Sequence, residues 1–475
     1  MSESASQRVS EPANGRTDEW TNEQMDGNSA VADFVAGIGW EKLPAAVQRK
    51  ARMALLDTLG TTLAGTLTPV SQIAAEYAIA TWPGDQATIL RGGQRASLHS
   101  LAIGAAFANG YAANGLDIDD CALYTKGHPG AQIFPTALAL AESLALGGAE
   151  MLTGLVVGYE VAHRAARIWH ATHDVYQACG SWGSVACAAV AAHLLRLTLE
   201  ETKQALGIAE YHAPNLPMMR DIDHPAMVKH GIGWGAMAGI VSAQLASRGF
   251  TGIPSLLGFA EHQDWVSDVG QNYIMVDGIA WKRYACCAWV HAALKGTQSL
   301  METHDFQAED VTRVRVETFH EAVRLGVELP TTTEEAQFNM AWPLAALLAD
   351  GEVGPEQMLE RGLSDRRIQD LARRIEVVET VELNELYRRA TEGDPQGRYA
   401  SIVVIELQDG TMLNSGMVEG EINYPQRCWD EQSLEDKFRW LARHVLEEAR
   451  VDAIVDMVWH FEDVANVGDL TRLLA

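Results

Sequence analysis

The chain has 475 residues, 47% of them hydrophobic, and a formal net charge of −27 at pH 7. That length suits two to three domains around a large core and excludes one small domain. The charge argues against nucleic-acid or anionic-membrane binding, which needs basic surface, so an acidic substrate would have to meet a local cluster of cations.

Residues 1–28 are polar and lack the apolar run of a secretory signal, so they read as a disordered tail with no export expected. From 29 to 271 the texture is helical with short Gly/Pro breaks. In PAAVQRKARMALLDTLGTTLAG, Val47, Ala51, Ala54, Leu55 and Leu59 fall on one face. Small residues recur at helix spacing in IGAAFANGYAANG and SVACAAVAAHLL, which lets helices approach closely. Strand signals are nearly absent here. The uncharged runs near Cys179 to Leu195 and Gly231 to Ser247 fall short of the roughly 20 apolar residues a membrane span requires, and read as buried helices. Between 272 and 424, and most clearly after Lys282, VTRVRVETF, RIEVVETVEL and YASIVVIELQDGTML cluster β-branched residues, and Asp409-Gly410 signals a hairpin turn. This predicts a smaller α+β domain. Residues 425–475 return to amphipathic helix that packs back on the helical domain, which makes the α+β domain an insertion with a cleft at the junction. The expected class is mainly α with a smaller α+β domain. Six cysteines without a CxxC pair fit a reducing cytoplasm.

Candidate chemistry concentrates in LDIDDCALYTKGHPGAQIFP, where Asp117, Asp119 and Asp120 lie close to His128. A carboxylate and an imidazole so placed form a proton-transfer pair, or else a capped, solvated loop. Arg220, His224, Lys229 and His230 lie within eleven residues between helix breakers, as a carboxylate clamp or a solvated loop. Lys282 stands at the domain junction, as an electrophile for a carboxylate, a general acid or a junction salt bridge. Cys286 and Cys287 read as small core residues. His173 and Tyr176 precede a helix N-terminus that could receive an anion. Gly231, Gly233 and Ala236 form GxGxxA, but no strand precedes them, so helix packing is expected rather than nucleotide binding. The sequence lacks HExxH, CxxC and Walker A patterns, and neither a metal nor a nucleotide cofactor is expected.

Read in order, LLDTLGTTLAG, ANGYAANGLDIDD with HPGAQIFPTALALAE, GYEVAHR, KHGIGWGAMAG, SRGFTG, KRYACC and EAQFNMAWPLAALLADG resemble the MmgE/PrpD family. Its members include 2-methylcitrate dehydratases, cis-aconitate decarboxylases and iminodisuccinate epimerases. The resemblance implies a homodimer with a large helical domain, a lid-like α+β domain and a cofactor-free site at their junction. Asp117, His128 and Lys282 look like the family's acidic residue, histidine and junction lysine. Cys121, Arg220 and Trp342 stand where decarboxylase-like members carry a hydroxyl residue, a lysine and a tyrosine. His173 is one residue out of register with the family's second histidine. The implied catalytic set is Asp117, His128 and Lys282, with Cys121, His173, Arg220, Lys229 and Trp342 binding substrate. The implied activity is a lyase that removes a proton next to a carboxylate of a small di- or tricarboxylate, followed by dehydration or decarboxylation. An epimerase of an amino or imino dicarboxylate is the alternative, and a non-catalytic carboxylate binder the third reading.

Overall fold

The computed structural model describes residues 26–92, 98–423 and 429–474. Most of the expected tail lies outside the described residues; its last three positions begin a helix at Asp26. No helix among the described residues is long and apolar enough to cross a membrane.

The first domain is a stack of helices whose small residues set the spacing. In Cys179–Leu194 every residue but His193 is buried, the pattern of a helix enclosed on all sides. It runs against Ile232–Ala246 so closely that a Cβ on Gly239 would lie 2.4 Å from Cys187 Cβ. A Cβ on Gly233 would lie 2.5 Å from Tyr111 Cε2, in the neighbouring helix Ala102–Ala113. The GxGxxA segment is therefore a packing device, as its lack of a preceding strand suggested. Strands are not wholly missing from this half: β1 (Pro83–Ile89) pairs with β2 (Leu98–Ser100), and β3 (Cys121–Ala122) pairs with β4 (Ile279–Ala280), both antiparallel. These ladders are too short to register as alternation in sequence.

The second domain carries a four-stranded sheet in the order β6-β5-β7-β8, with β5 (Val311–Thr318), β6 (Ile375–Glu379), β7 (Ala400–Leu407) and β8 (Met412–Glu419). β5 and β6 are parallel, and the other pairs are antiparallel. Val314, Val316 and Thr318 turn inward on β5, the period of a sheet with one covered face, and a register shift between Val311 and Arg313 sets Val311 inward as well. The β7–β8 hairpin turns through Asp409 and Gly410, where Gly410 takes φ +83°, a left-handed value that glycine adopts without a Cβ penalty.

Two hydrophobic cores follow. One joins residues 31–281 with 434–474; the other is centred on 285–422 and also takes in Leu116, Ile118, Cys121, Ala178, Met218 and Ile222 from the helical half. β4 and Trp281 therefore extend the helical domain's packing past residue 271. The C-terminal helix Glu431–Ala442 lies on Ala45–Gly65, where Gly60 leaves room for Phe438. Burying that ring contributes about 1.5–3 kcal/mol. On the same helix Lys437 Nζ donates to Asp57 Oδ1 at 2.6 Å and to Ile118 O at 2.9 Å. The returning chain thus anchors the loop that carries the aspartates.

Candidate active site

That loop begins where the helix Ala102–Ala113 ends. Asn114 Nδ2 donates to Asp117 Oδ1 at 3.1 Å and to Asp119 Oδ1 at 2.8 Å, and Asp117 adopts φ +51°, a left-handed conformation that Asp tolerates better than most residues. β3 follows and pairs with β4. Lys282, two residues beyond β4, thereby reaches Asp117, with Nζ 2.9 Å from Oδ2. Both side chains are only 1% exposed, so this is a buried ion pair made by a two-residue ladder between segments far apart in sequence.

His128 is set from the opposite side. Its backbone N–H donates to Cys179 Sγ at 3.2 Å, and its Nδ1 lies 2.7 Å from Asp120 O, which makes Nδ1 the protonated nitrogen of the neutral ring. Nε2 then points at Asp117 Oδ1, 3.4 Å away. The Asp120 carboxylate faces elsewhere, accepting the Gly130 N–H at the start of helix Gly130–Ser143.

A second imidazole completes the group. Lys229, His230 and Gly231 take φ +42°, +55° and +66° in succession before helix Ile232–Ala246. A left-handed non-glycine residue costs about 1–2 kcal/mol, and such strain gathers at functional sites. The turn lays His230 parallel to His128, with ring centroids 5.4 Å apart, and brings its Nε2 to 3.9 Å from Asp117 Oδ1. Lys229, fully buried, donates to Gln337 Oε1 at 2.7 Å, and Gln337 Nε2 donates to Gly115 O at 3.0 Å. One side chain of the second domain thus spans both site segments.

The electrostatics follow from this packing. Burial alone would push the Asp117 carboxyl up, but Lys282, His128, Lys229 and His230 hold it well below the usual carboxylate range. Burial disfavours the Lys282 ammonium, yet Asp117 and Asp119 raise its pKa and keep it charged. His128 is lowered because burial outweighs Asp119 and Asp117. Asp120 is raised well above its ordinary value by burial and then by Asp119 and Asp57, and Asp57 is raised to about 6 mainly by burial. The site therefore holds an anionic carboxylate against a charged lysine, beside carboxyls biased towards protonation.

Asp117, His128 and His230 line a small pocket of about 50 Å³ between the two domains. Asp117, Cys121, Lys126, His128 and His230 come from the helical side, and Trp289, Phe338, Tyr387 and Tyr399 from the second domain. Lys126 is half-buried, has no ion-pair partner among the described residues, and has its pKa lowered by burial. Tyr176 holds the Lys126 backbone by donating its hydroxyl to the carbonyl. Burial pushes the Cys121 thiol up, so it lines the wall as an uncharged group.

Of the implied catalytic and substrate-binding residues, Asp117, Cys121 and His128 line this pocket, and Lys282 and Lys229 stand directly behind its wall. The other three lie elsewhere. His173 caps the helix Gly148–Thr172, exposed and stacked on Trp169 at 4.7 Å. Arg220 is exposed on the short helix Met218–Asp223, whose inward face is given to Asp221, 2.7 Å from His230 Nδ1. Trp342 is fully buried in the second domain's core, donating Nε1–H to Gln357 O at 3.1 Å. Lys126 and Asp221 were not singled out, and His230 was named only within the basic cluster of Arg220, His224 and Lys229, outside the implied catalytic and binding set; the left-handed turn that aims it has no signature beyond Gly231.

Asp117, His128 and His230 offer three ligand atoms within 4.8 Å of one another, a donor set suited to a divalent cation. The ammonium of Lys282 already lies against Asp117, so a metal would have to bind beside a fixed positive charge.

The chain matches the MmgE/PrpD N-terminal domain over residues 29–265 and the MmgE/PrpD C-terminal domain over 284–461. It is 23% identical to a cis-aconitate decarboxylase of Aspergillus terreus, over 96% of this chain and 97% of that protein. It is 25% identical to a cis-aconitate decarboxylase of Homo sapiens, over 90% of each, and 23% identical to one of Mus musculus, over 94% and 92%.

Proposed function

From the premise that the chain belongs to the MmgE/PrpD family, we propose that it is a carboxy-lyase acting on a small tricarboxylate of the cis-aconitate kind. The observation that carries this reading is the buried Asp117–Lys282 pair facing two imidazoles in a pocket between domains. Likeness to cis-aconitate decarboxylases along nearly the whole chain supports the same reaction class. Homodimer formation belongs to this reading, and light scattering tests it.

The chemistry requires a place for several carboxylates and a means of offsetting the charge that develops when CO₂ departs. Lys126 lines the pocket without an ion-pair partner among the described residues and is the cation for one carboxylate, and Lys229 and Lys282 supply positive potential behind the wall. Enclosed by the lid, these charges act in a lower dielectric than the acidic exterior does, which is how a protein of net charge −27 can take an anionic substrate. When the bond to CO₂ breaks, the electron pair left on carbon spreads into the adjoining unsaturated carboxylate. Preorganised donors are worth most at that point, because they need no rearrangement as the charge forms. His128, neutral and with Nε2 facing the pocket wall, is placed to handle a proton.

Dehydration and epimerisation share the early charge development and differ in the fate of the carbanion-like species. The test is proton NMR of the purified enzyme in D₂O with cis-aconitate, citrate, 2-methylcitrate and iminodisuccinate supplied separately. Loss of CO₂ from cis-aconitate with deuterium in the product supports the reading. Alkene formation from citrate or 2-methylcitrate would make it a hydro-lyase, and deuterium entry into iminodisuccinate alone would make it an epimerase.

A further inference from the structure

The site contains an imidazole–carboxylate pair that neither the aspartate loop nor the junction lysine accounts for. His230 Nδ1 lies 2.7 Å from Asp221 Oδ2, and the same carboxylate oxygen accepts the His230 backbone N–H at 3.1 Å. One carboxylate thus fixes both the ring and the backbone of a single residue. With Nδ1–H directed at Asp221, Nε2 is the atom presented towards the pocket. The ring is clamped between His128, parallel at 5.4 Å, and the edge of Phe338 from the lid, also at 5.4 Å. It is held there by a backbone turn in which Lys229 and His230 are both left-handed. Strain, a dedicated carboxylate and two aromatic contacts converge on one ring.

We propose that His230, oriented by Asp221, is the group that delivers the proton to the substrate carbon. This rests on the carboxy-lyase reading above. The bond between the substrate carbon and its departing carboxylate breaks, CO₂ leaves, and the electron pair stays on carbon, delocalised into the conjugated acid. That pair then forms the new C–H bond with the proton on His230 Nε2. The neutral ring is reprotonated from water, so each turnover consumes one proton and releases one CO₂.

The two imidazoles divide the work because their partners differ. His128 Nδ1 lies 2.7 Å from the Asp120 carbonyl and 3.3 Å from Asp119 Oδ2, with burial outweighing the nearby carboxylates, whereas His230 Nδ1 makes a direct 2.7 Å contact with the one carboxylate, Asp221, that also holds its backbone N–H. Asp221 stays ionised: burial would raise it, but His230, through its charge and its hydrogen bonds, holds it below its ordinary value. The charged and titratable groups facing His230 are Asp221 from helix Met218–Asp223, Asp117 and His128 from the aspartate loop, Lys229 beside it, and Lys282 behind Asp117. The anions Asp221 and Asp117 lie nearest its two nitrogens.

The experiment compares wild type, His230→Gln and Asp221→Asn for kcat and KM on cis-aconitate from pH 5.5 to 8.5. Binding of a saturated tricarboxylate is measured by calorimetry on the same preparations. A positioned acid contributes on the order of 10²–10⁴ in rate, so His230→Gln should lose kcat by that factor while KM and analogue binding stay within about threefold. Asp221→Asn is a positioning variant. It should lower kcat about tenfold or more while KM and analogue binding stay within about threefold, and Asp221→Glu, which keeps a carboxylate for Nδ1, should restore part of the loss. A His230→Gln enzyme with kcat within about threefold of wild type overturns the assignment, and so does a loss of binding equal to the loss of rate. Failure of the wild type to release CO₂ overturns the carboxy-lyase reading itself, so the two failures are distinct.

Discussion

Replacing Lys282 by methionine isolates the electrostatic centre of the site. The ammonium lies 2.9 Å from Asp117 Oδ2 with both side chains 1% exposed, so the gross attraction at an effective dielectric of about 20 is roughly 6 kcal/mol. Methionine keeps most of the volume and leaves Asp117 a buried carboxylate whose remaining neighbours are Asn114 at 3.1 Å, His128 at 3.4 Å and His230 at 3.9 Å. Breaking a buried pair in this way costs about 3–5 kcal/mol, and these neighbours place the expected loss near the lower end. The pH dependence carries a sign. In the wild type the Asp117 carboxyl sits below its unfolded value, so its contribution is present above about pH 4 and is lost only as pH falls through the lower folded value. In Lys282→Met burial takes over and lifts the folded value above the unfolded one. The variant is then most destabilised at neutral pH and recovers as Asp117 is protonated. Urea unfolding of both proteins at pH 8 and pH 5 measures the gap, and Asp117→Asn/Lys282→Met closes the cycle. The reasoning is refuted by a loss under about 1 kcal/mol, by an equal gap at both pH values, or by a double variant no more stable than the single one.

Three other outcomes follow from the same geometry. Lys126→Ala removes a lining ammonium that has no ion-pair partner among the described residues and should raise KM for a tricarboxylate about tenfold, with a smaller change in kcat, in steady-state kinetics. Gly231→Ala forces a side chain at φ +66° with its Cβ 2.3 Å from Leu216 Cδ1. It should cost at least 1–2 kcal/mol in urea unfolding, as an order of magnitude, and lower kcat by displacing His230. His291 is lowered to about 3 by burial and then by Lys282, so the folded state keeps it neutral while the unfolded chain takes up a proton below about pH 6.5. Stability from this residue is lost as pH falls from 6.5 towards 3, and His291→Gln should flatten that part of the stability profile.

Much of the frame was legible because it rests on local pattern. The all-round burial of Cys179–Leu194 follows from an uncharged, small-residue run, and the sheet of the second domain follows from clustered β-branched residues around Asp409-Gly410. Asp117 and His128 were legible as neighbours on one loop. Three other residues misled for physical reasons. Arg220 and Asp221 are adjacent on one short helix, where successive side chains point about 100° apart, so only one could turn inward to His230. His173 is one position past its helix and stacks outward on Trp169. Trp342 is held in a core by Asn339 and Gln357, contacts that no motif announces. His230 meets His128 through a left-handed turn, and Lys126 reaches the pocket from a loop held by Tyr176. Such residues are set by tertiary placement, which a periodicity cannot encode.

Release of ¹³CO₂ from carboxyl-labelled cis-aconitate, followed for wild type and for Lys282→Met under conditions where both remain folded, tests the central claim most directly. The pocket built on Asp117 and Lys282 predicts steady release by the wild type and a loss of at least 10²-fold in the variant, the scale on which a preorganised charge at the reacting centre is removed. Release that is unchanged in Lys282→Met, or absent from the wild type, would contradict it.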